Sequence, residues 1–357
     1  MKGDKLPRNR RTGAFERPIA TFLAARVNPH EPLVVACSGG PDSVAALVAT
    51  SRARAPGHTV AACFDHRIRP SEVGVADAAF VADLAASLGA AFVVGAATQP
   101  LVGDEHGARL ARYRWLLSAC REAGARFLVT GHTEDDQAET VLLHLARGAG
   151  LRGAAAMAAV SPWPVDDEAG GVGAEVAPNV LRPLLDRSRT DVVAYLDALG
   201  LTAQQDETNE ARAYARNRVR HDVLPALEVV NPRVRRHLAE FASRAREADD
   251  ALERWAGEAV GALVAFEGGQ ASLDRRRLGE LPPAVARRVV RLAAARAGIA
   301  LDAVQTAAII EAARRRGAHL DLAGGSARTN GSTLFVSADP RKSGSRRGGE
   351  RIVRPDG

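Results

Sequence analysis

Six consecutive residues, Ser38-Gly39-Gly40-Pro41-Asp42-Ser43, carry the strongest chemical signal in the chain. Two glycines let a backbone turn tightly and bring its amide N–H groups close to an anion. The segment that follows has helical character, so the positive end of a helix dipole would face the same point. Ser38 and Ser43 add hydroxyl donors, and Asp42 offers a carboxylate suited to holding Mg2+ or orienting a nucleotide. Phosphate binding is the chemistry this combination serves. The loop has no Lys of the G-x-x-x-x-G-K-[ST] kind and lacks the three-glycine spacing of a dinucleotide-binding turn. A chance Gly-Gly turn before a capped helix would explain the glycines alone. Strand, S-G-G-x-D-S and helix in succession outweigh it.

A second cluster runs through Thr130-Gly131-His132-Thr133-Glu134-Asp135-Asp136-Gln137-Ala138-Glu139-Thr140. Asp136, Glu139 and Thr140 fall about one helical turn apart and share a helix face. Acids grouped at a helix N-terminus bind Mg2+ or a cationic substrate, but they are also ordinary caps favoured by the dipole. By itself the capping explanation would be the stronger one, and a lone His132 would more often be structural.

Positioning both clusters requires a scaffold of alternating strands and helices. Leu33–Cys37 is a continuous apolar run ending in the glycine turn, as a strand buried on both faces would be. Further strands are expected at Val60–Phe64, Phe92–Val94, Arg126–Thr130 and Asn179–Leu185, with helices over 42–54, 72–88, 105–122, 134–147 and 188–199. This pattern predicts an α/β fold, a doubly wound parallel sheet of Rossmann-like type. Both clusters then lie at the carboxyl edge of that sheet, where open α/β folds bind ligands. Residues 161–178 read as a loop, and 205–223 as a polar, Arg-rich segment without clean periodicity.

The expected domains are a basic arm and short helix (1–27), a catalytic domain (28–224), a smaller and mostly helical domain (225–339) and a disordered basic tail (340–357). Within the helical domain, helices are expected at 232–261, 283–297 and 301–316, with a hairpin-like piece at 262–274 and short strands around 319–336. The net charge of +6 favours a polyanionic partner about as well as it fits a generally basic protein. Cys37, Cys63 and Cys120 form no C-x-x-C, so neither a disulfide framework, a zinc site nor an iron–sulfur pattern is expected. No run approaches membrane-spanning length and no signal peptide is expected; the sequence reads as cytoplasmic.

S-G-G-x-D-S after the first strand resembles the pyrophosphate loop of the N-type ATP pyrophosphatases, enzymes that adenylate a carbonyl or carboxyl oxygen. G-H-x-x-x-D-Q-A-E-T, followed by Arg147-Gly148-Ala149-Gly150-Leu151, is similar to one branch, the tRNA(Ile)-lysidine synthetases. Phe64-Asp65-His66-Arg67-Ile68-Arg69 resembles that branch's D-H-x-L-R motif, and Ala108–Tyr113 its A-R-x-x-R-Y helix. Arg182-Pro183-Leu184-Leu185 matches its R-P-L-L. Asp206–Asn209 with Arg216–His221 and Leu224-Pro225 resembles its D-x-[ST]-N…R-N-x-[IVL]-R segment. Six matches in family order across some 190 residues are hard to reach by chance.

The resemblance implies ATP and Mg2+ as cofactors, tRNA(Ile) with a CAU anticodon and L-lysine as partners, no membrane, and a homodimer as a candidate assembly. It implies an ATP-binding set of Ser38, Gly39, Gly40, Pro41, Asp42, Ser43 and His66, and metal ligands at Asp42 and Asp136. Its catalytic set is Asp42, Arg112, His132, Asp136, Glu139 and Arg216, with Asp136 and Glu139 holding metal or the lysine amine. The second domain carries its implied tRNA-binding role on arginine density alone. Another tRNA-modifying enzyme of the same superfamily, such as a tRNA thiolase, is the alternative, although those enzymes commonly rely on paired or catalytic cysteines.

Overall fold

A computed structural model of the chain describes residues 6–67, 71–99, 105–165, 177–204 and 215–339. The described residues divide into two compact units at Ala245–Arg246.

The first unit is built on a six-stranded sheet of spatial order β3-β2-β1-β4-β6-β5. Its strands are β1 (Leu33–Ala36), β2 (Thr59–Asp65), β3 (Ala91–Ala96), β4 (Phe127–Val129), β5 (Val160–Ser161) and β6 (Asn179–Leu181). All pair in parallel except β5, a two-residue antiparallel edge that the sequence pattern does not reveal. In register, Val34 pairs with Val60 on one side and Leu128 on the other, and Leu128 continues to Val180.

Alternate strand residues enter different cores, as the two-residue period of a strand requires. Leu33, Val35, Ala61, Cys63, Val129 and Leu181 join one cluster with residues of α1 (Arg10–Ala24), α2 (Pro41–Arg52), α3 (Ser71–Leu88) and α7 (Arg189–Leu199). Val34, Ala62, Leu128 and Val180 join another with Tyr113, Leu116 and Cys120 of α4 (Glu105–Glu122). Because both faces are covered, the central strands show unbroken hydrophobicity.

The chain steps outward from β1 to β2 and β3, then returns to place β4 on the other side of β1. The crevice between the carboxyl ends of β1 and β4 is therefore the topological switch point of the sheet. Helices α2 and α5 (Glu134–Ala146) start from those two strand ends. Both chemical clusters of the sequence begin there.

Within the expected arm and short helix of residues 1–27, helix α1 already starts at Arg10. Asn9 caps it through a capping box with Thr12, and Phe15 stacks on Tyr195 with ring centroids 4.2 Å apart. Arg52 reaches Glu16 at 2.7 Å, and Tyr195 donates its hydroxyl to the same carboxylate at 2.8 Å. Residues 10–16 are thus part of the packed body. Gly13 and Pro18 obscure the helical pattern there.

After the short α6 (Leu151–Ala154) and α7, residues 215–230 are helical: α8 (Ala215–Arg218), a π-helical turn (Val219–Val223) and α9 (Leu224–Val230). Pro225 accounts for the wide turn, since its ring lacks an N–H and crowds the carbonyl four residues earlier. The Leu224 amide reaches back five residues to the Val219 carbonyl. Val219 and Leu224 pack on Ala138 of α5.

The second unit begins within α10 (Val234–Leu263). It joins the hairpin β7 (Val264–Glu267) and β8 (Gln270–Asp274) to β9 (His319–Leu322), β10 (Gly325–Asn330) and β11 (Thr333–Ala338) in one antiparallel sheet of order β7-β8-β11-β10-β9. Helices α11 (Arg275–Glu280), α12 (Pro283–Arg296) and α13 (Ala303–Ala313) complete it. Val289, Val290 and Ile309 from the helices meet Leu273, Leu334 and Val336 from the sheet in its core.

Candidate functional site

The loop after β1 is held open by one hydroxyl. Ser43 Oγ donates to the Gly40 carbonyl at 2.9 Å and accepts the Ser38 amide at 3.1 Å, pinning both ends of the turn. Gly39 has φ +85°, a region that favours glycine, and Pro41 takes the first helical position of α2. The Gly39 amide turns toward the Cys37 sulfur, while the amides of Gly40, Asp42 and Ser43 donate to no acceptor among the described residues. Three free N–H groups at a helix N-terminus make a cradle for a phosphate group.

Asp42 stands in the first turn of α2. Its Oδ1 is buried and has no hydrogen-bond partner among the described residues. Burial pushes its pKa up to about 6; the Arg189 guanidinium pulls the other way, while Asp136 and Asp135 add to the rise.

The second loop is pressed against the first. A Cβ placed on Gly131 would sit 2.6 Å from the Asp42 carbonyl oxygen and 2.9 Å from the Ser43 nitrogen. Only the missing side chain lets the β4–α5 turn come this close. His132 follows at once, with Nδ1 2.8 Å from Thr130 Oγ1. Burial drives its imidazole pKa down to about 3, with Asp136 opposing the shift and Arg182, Arg216 and Arg112 reinforcing it. His132 is therefore neutral.

Asp136 both caps a helix and belongs to the ionic cluster. Its Oδ2 accepts the Thr133 amide at 2.9 Å, closing the capping box of α5, while Oδ1 accepts from Arg216 Nη2 at 2.8 Å. Burial works to raise its pKa, but Arg216, the Thr133 amide and Arg220 outweigh this and hold the carboxyl below its usual value. Glu139 is bound more completely. Its Oε2 accepts from Arg216 Nε at 2.8 Å and Arg220 Nη2 at 3.1 Å, and its Oε1 from Arg220 Nε at 2.5 Å. The Glu139 side chain is fully buried, whereas Asp136 retains 15% exposure.

Four residues of this site were not singled out from sequence. Arg220 shares Glu139 with Arg216. Asp135 accepts the Arg189 amide at 2.7 Å and Arg235 Nη1 at 3.1 Å, tying α7 and α10 to the start of α5. Arg189 Nη2 stands 3.7 Å from Asp42 Oδ2. Each is an ordinary acid or arginine locally, and the signal lies in partners more than 50 residues away.

Arg112 approaches the Tyr113 ring at 5.4 Å and pairs with no carboxylate among the described residues. Burial lowers its pKa, and Arg109 and Arg216 add repulsion. An arginine so placed calls for an anion. His66 lies just beyond β2 at the same sheet edge, with its ring edge-on to Phe64 at 5.0 Å. The Asp206–Asn209 motif and the 340–357 tail lie outside the described residues. No group of three or more metal-ligating side chains occurs among the described residues. Cys37, Cys63 and Cys120 are all buried; burial raises the Cys37 pKa and pushes that of Cys120 up to about 12, so neither is a poised thiolate.

Residues 12–227 match the family model of the PP-loop domain, and residues 273–335 that of the TilS substrate binding domain. The tRNA(Ile)-lysidine synthase of Thermobifida fusca is 36% identical over 340 residues, covering 90% of this chain and 96% of that one. That of Salinispora tropica is 42% identical, covering 78% and 80% respectively. The chain belongs to the tRNA(Ile)-lysidine synthase family. It spans only 63% of the family member from Symbiobacterium thermophilum, at 37% identity. Among solved structures, the U34-tRNA thiolase NcsA of Methanococcus maripaludis superposes with a TM-score of 0.53 at 15% identity, covering 66% of this chain and 80% of that one. At that identity the likeness shows the fold alone. No helix among the described residues is long and apolar enough to cross a membrane.

Proposed function

We infer that the chain is an ATP-dependent tRNA(Ile)-lysidine synthase working in the cytoplasm. The wobble cytidine of a CAU-anticodon tRNA(Ile) would attack the α-phosphate of ATP through its C2 oxygen, releasing pyrophosphate. The ε-amine of free lysine then attacks C2 and displaces AMP. The observation that carries this reading is the meeting, at one switch point, of a cradle with three free amides and the His132–Asp136–Glu139 block.

The cradle takes the diphosphate end of ATP, where amides and helix dipole oppose the charge that grows as the P–O bond breaks. Mg2+ fits beside it at Asp42, because a buried carboxylate oxygen without a partner is a hard donor awaiting a cation. Magnesium is commonly held by one or two carboxylates plus substrate phosphates, so a three-residue cage is not needed. When bound it supplies charge neutralisation at the phosphates. Asp136 is the weaker ligand of the two, since both its oxygens are engaged.

Arg112 and Arg216 supply positive charge for the adenylyl phosphate. His132 is neutral and offers Nε2 as a hydrogen-bonding group, its Nδ1 being taken by Thr130. Asp136, ionised and still partly exposed, is the carboxylate that meets the lysine amine and helps remove its proton. Glu139, fully buried, is a positioning residue that holds Arg216 and Arg220 in place.

Incubation with ATP, labelled lysine and a tRNA(Ile) transcript bearing CAU tests the assignment. Label should enter the tRNA, with one AMP released per lysine joined. AMP release indifferent to lysine would point instead to another PP-loop tRNA modification, which the buried cysteines already disfavour as a thiolation.

A further inference from the structure

The turn before α7 is strapped to the start of α5. The Glu134 amide donates to the Arg187 carbonyl at 2.8 Å, and the Arg189 amide to Asp135 Oδ2 at 2.7 Å. Ser188 between them is fixed by its capping box with Asp191. Backbone freedom at Arg189 is therefore small, and its side chain departs from a fixed point beside the cradle.

The guanidinium itself is loosely held. Its nearest anion is Asp42 Oδ2 at 3.7 Å, beyond hydrogen-bond range, and its side chain is 41% exposed. Arg216 and Arg220 differ: both make hydrogen bonds of 2.5 to 2.8 Å to buried carboxylates. Arg189 keeps its hydrogen-bonding capacity unspent, within reach of the helix turn that carries the free amides.

We propose that Arg189 binds the diphosphate group of ATP and stays with it as the leaving group. The proposal rests on the reading of the loop as a pyrophosphate cradle. In the step concerned, the bond between the α-phosphorus and its bridging oxygen breaks and that oxygen keeps the electron pair. A bond from the acceptor oxygen to the α-phosphorus replaces it. The new negative charge lands on the diphosphate, where a guanidinium offers paired N–H donors of matching geometry. Asp42 serves as the resting partner of Arg189, and the ligand's arrival lets the guanidinium turn from carboxylate to phosphate.

The test is equilibrium binding of inorganic pyrophosphate and of AMP, at fixed magnesium, to wild type, Arg189→Met and Arg189→Lys. Loss of a charge-assisted contact should weaken pyrophosphate about tenfold or more in Arg189→Met, with AMP affinity kept. Arg189→Lys should fall between, since it restores the charge without the fork. AMP binding reports that the variants are folded. Unchanged pyrophosphate affinity in Arg189→Met, or equal weakening of both ligands, overturns the proposal while leaving the cradle intact. A wild-type chain that binds no pyrophosphate overturns the cradle and the proposal together.

Discussion

The two halves of the site are prepared in opposite ways. At the 38–43 loop the amides of Gly40, Asp42 and Ser43 and one Asp42 oxygen are left without partners among the described residues. On the other side of Gly131, every oxygen of Asp136 and Glu139 is already engaged. The first region can accept an anion without rearrangement. The second must exchange a partner before it can touch a cationic substrate, because Arg216 occupies the Asp136 oxygen that an amine would use. The order of the proposed chemistry follows from this contrast: ATP meets a ready cradle, and lysine displaces an existing ion pair.

Asp136→Asn should break the exchangeable half most severely. The amide oxygen can still cap α5, so the melting temperature should hold. Lysidine formation should fall by about 10³-fold or more. Retention of full turnover on CAU-anticodon tRNA(Ile) would remove Asp136 from the mechanism.

Glu139→Ala should act on stability first. Removing one partner of a buried ionic cluster leaves charges uncompensated, at a cost of roughly 3 kcal/mol. Thermal denaturation should show a lowered midpoint together with reduced kcat. A variant as stable and active as wild type would make the Arg216–Arg220 pairing incidental.

Gly131→Ala tests whether the halves must touch. Its Cβ would force apart the Asp42 carbonyl and the β4–α5 turn, and misplacement of this order costs about 100-fold in rate. Gly150→Ala, at a glycine with nothing within 4 Å, is the control and should be silent. Equal behaviour of the two variants would show that the close approach is unnecessary.

Ser43→Ala sharpens the comparison at the open end. It deletes the hydroxyl that pins the loop, worth about 1 kcal/mol, and should raise the KM for ATP roughly five- to tenfold with kcat little changed. A fall confined to kcat would mean the hydroxyl acts on the transition state instead.

What could be read from sequence follows the same division. The cradle is made of consecutive residues and backbone groups, so S-G-G-x-D-S after an apolar strand states its geometry almost completely. The strands β1, β2 and β4 are also legible, because burial writes them as unbroken apolar runs; β3, at the exposed edge of the sheet, is legible only in its short Phe92–Val94 core. The closed half was legible only in part. Asp136 and Glu139 announce themselves on one helix, but which arginines bind them is settled by side chains 77 to 81 residues away. In a chain so rich in arginine, Arg220, Arg189 and Arg235 look like solvated helix residues until their partners are seen. The second unit fares similarly. Its hairpin and its terminal strands read as separate pieces, and their union through the β8–β11 pairing depends on contacts no local pattern encodes. Net charge proved a poor guide to surfaces: residues 340–357 alone hold six Arg and Lys against two acids.

The π-helical turn at Val219–Val223 also bears on how this segment can vary. Such a turn amounts to one surplus residue in a helix, and it holds Arg220 and Val219 between Arg216 and Leu224, the stretch that clamps Glu139 and packs on α5. Deleting a single residue there would restore regular pitch while rotating everything downstream by about 100° relative to Arg216. Length at 219–223 should therefore be far less free to change than side-chain identity, and lineages that lose a residue here should be expected to lose the Glu139 clamp with it.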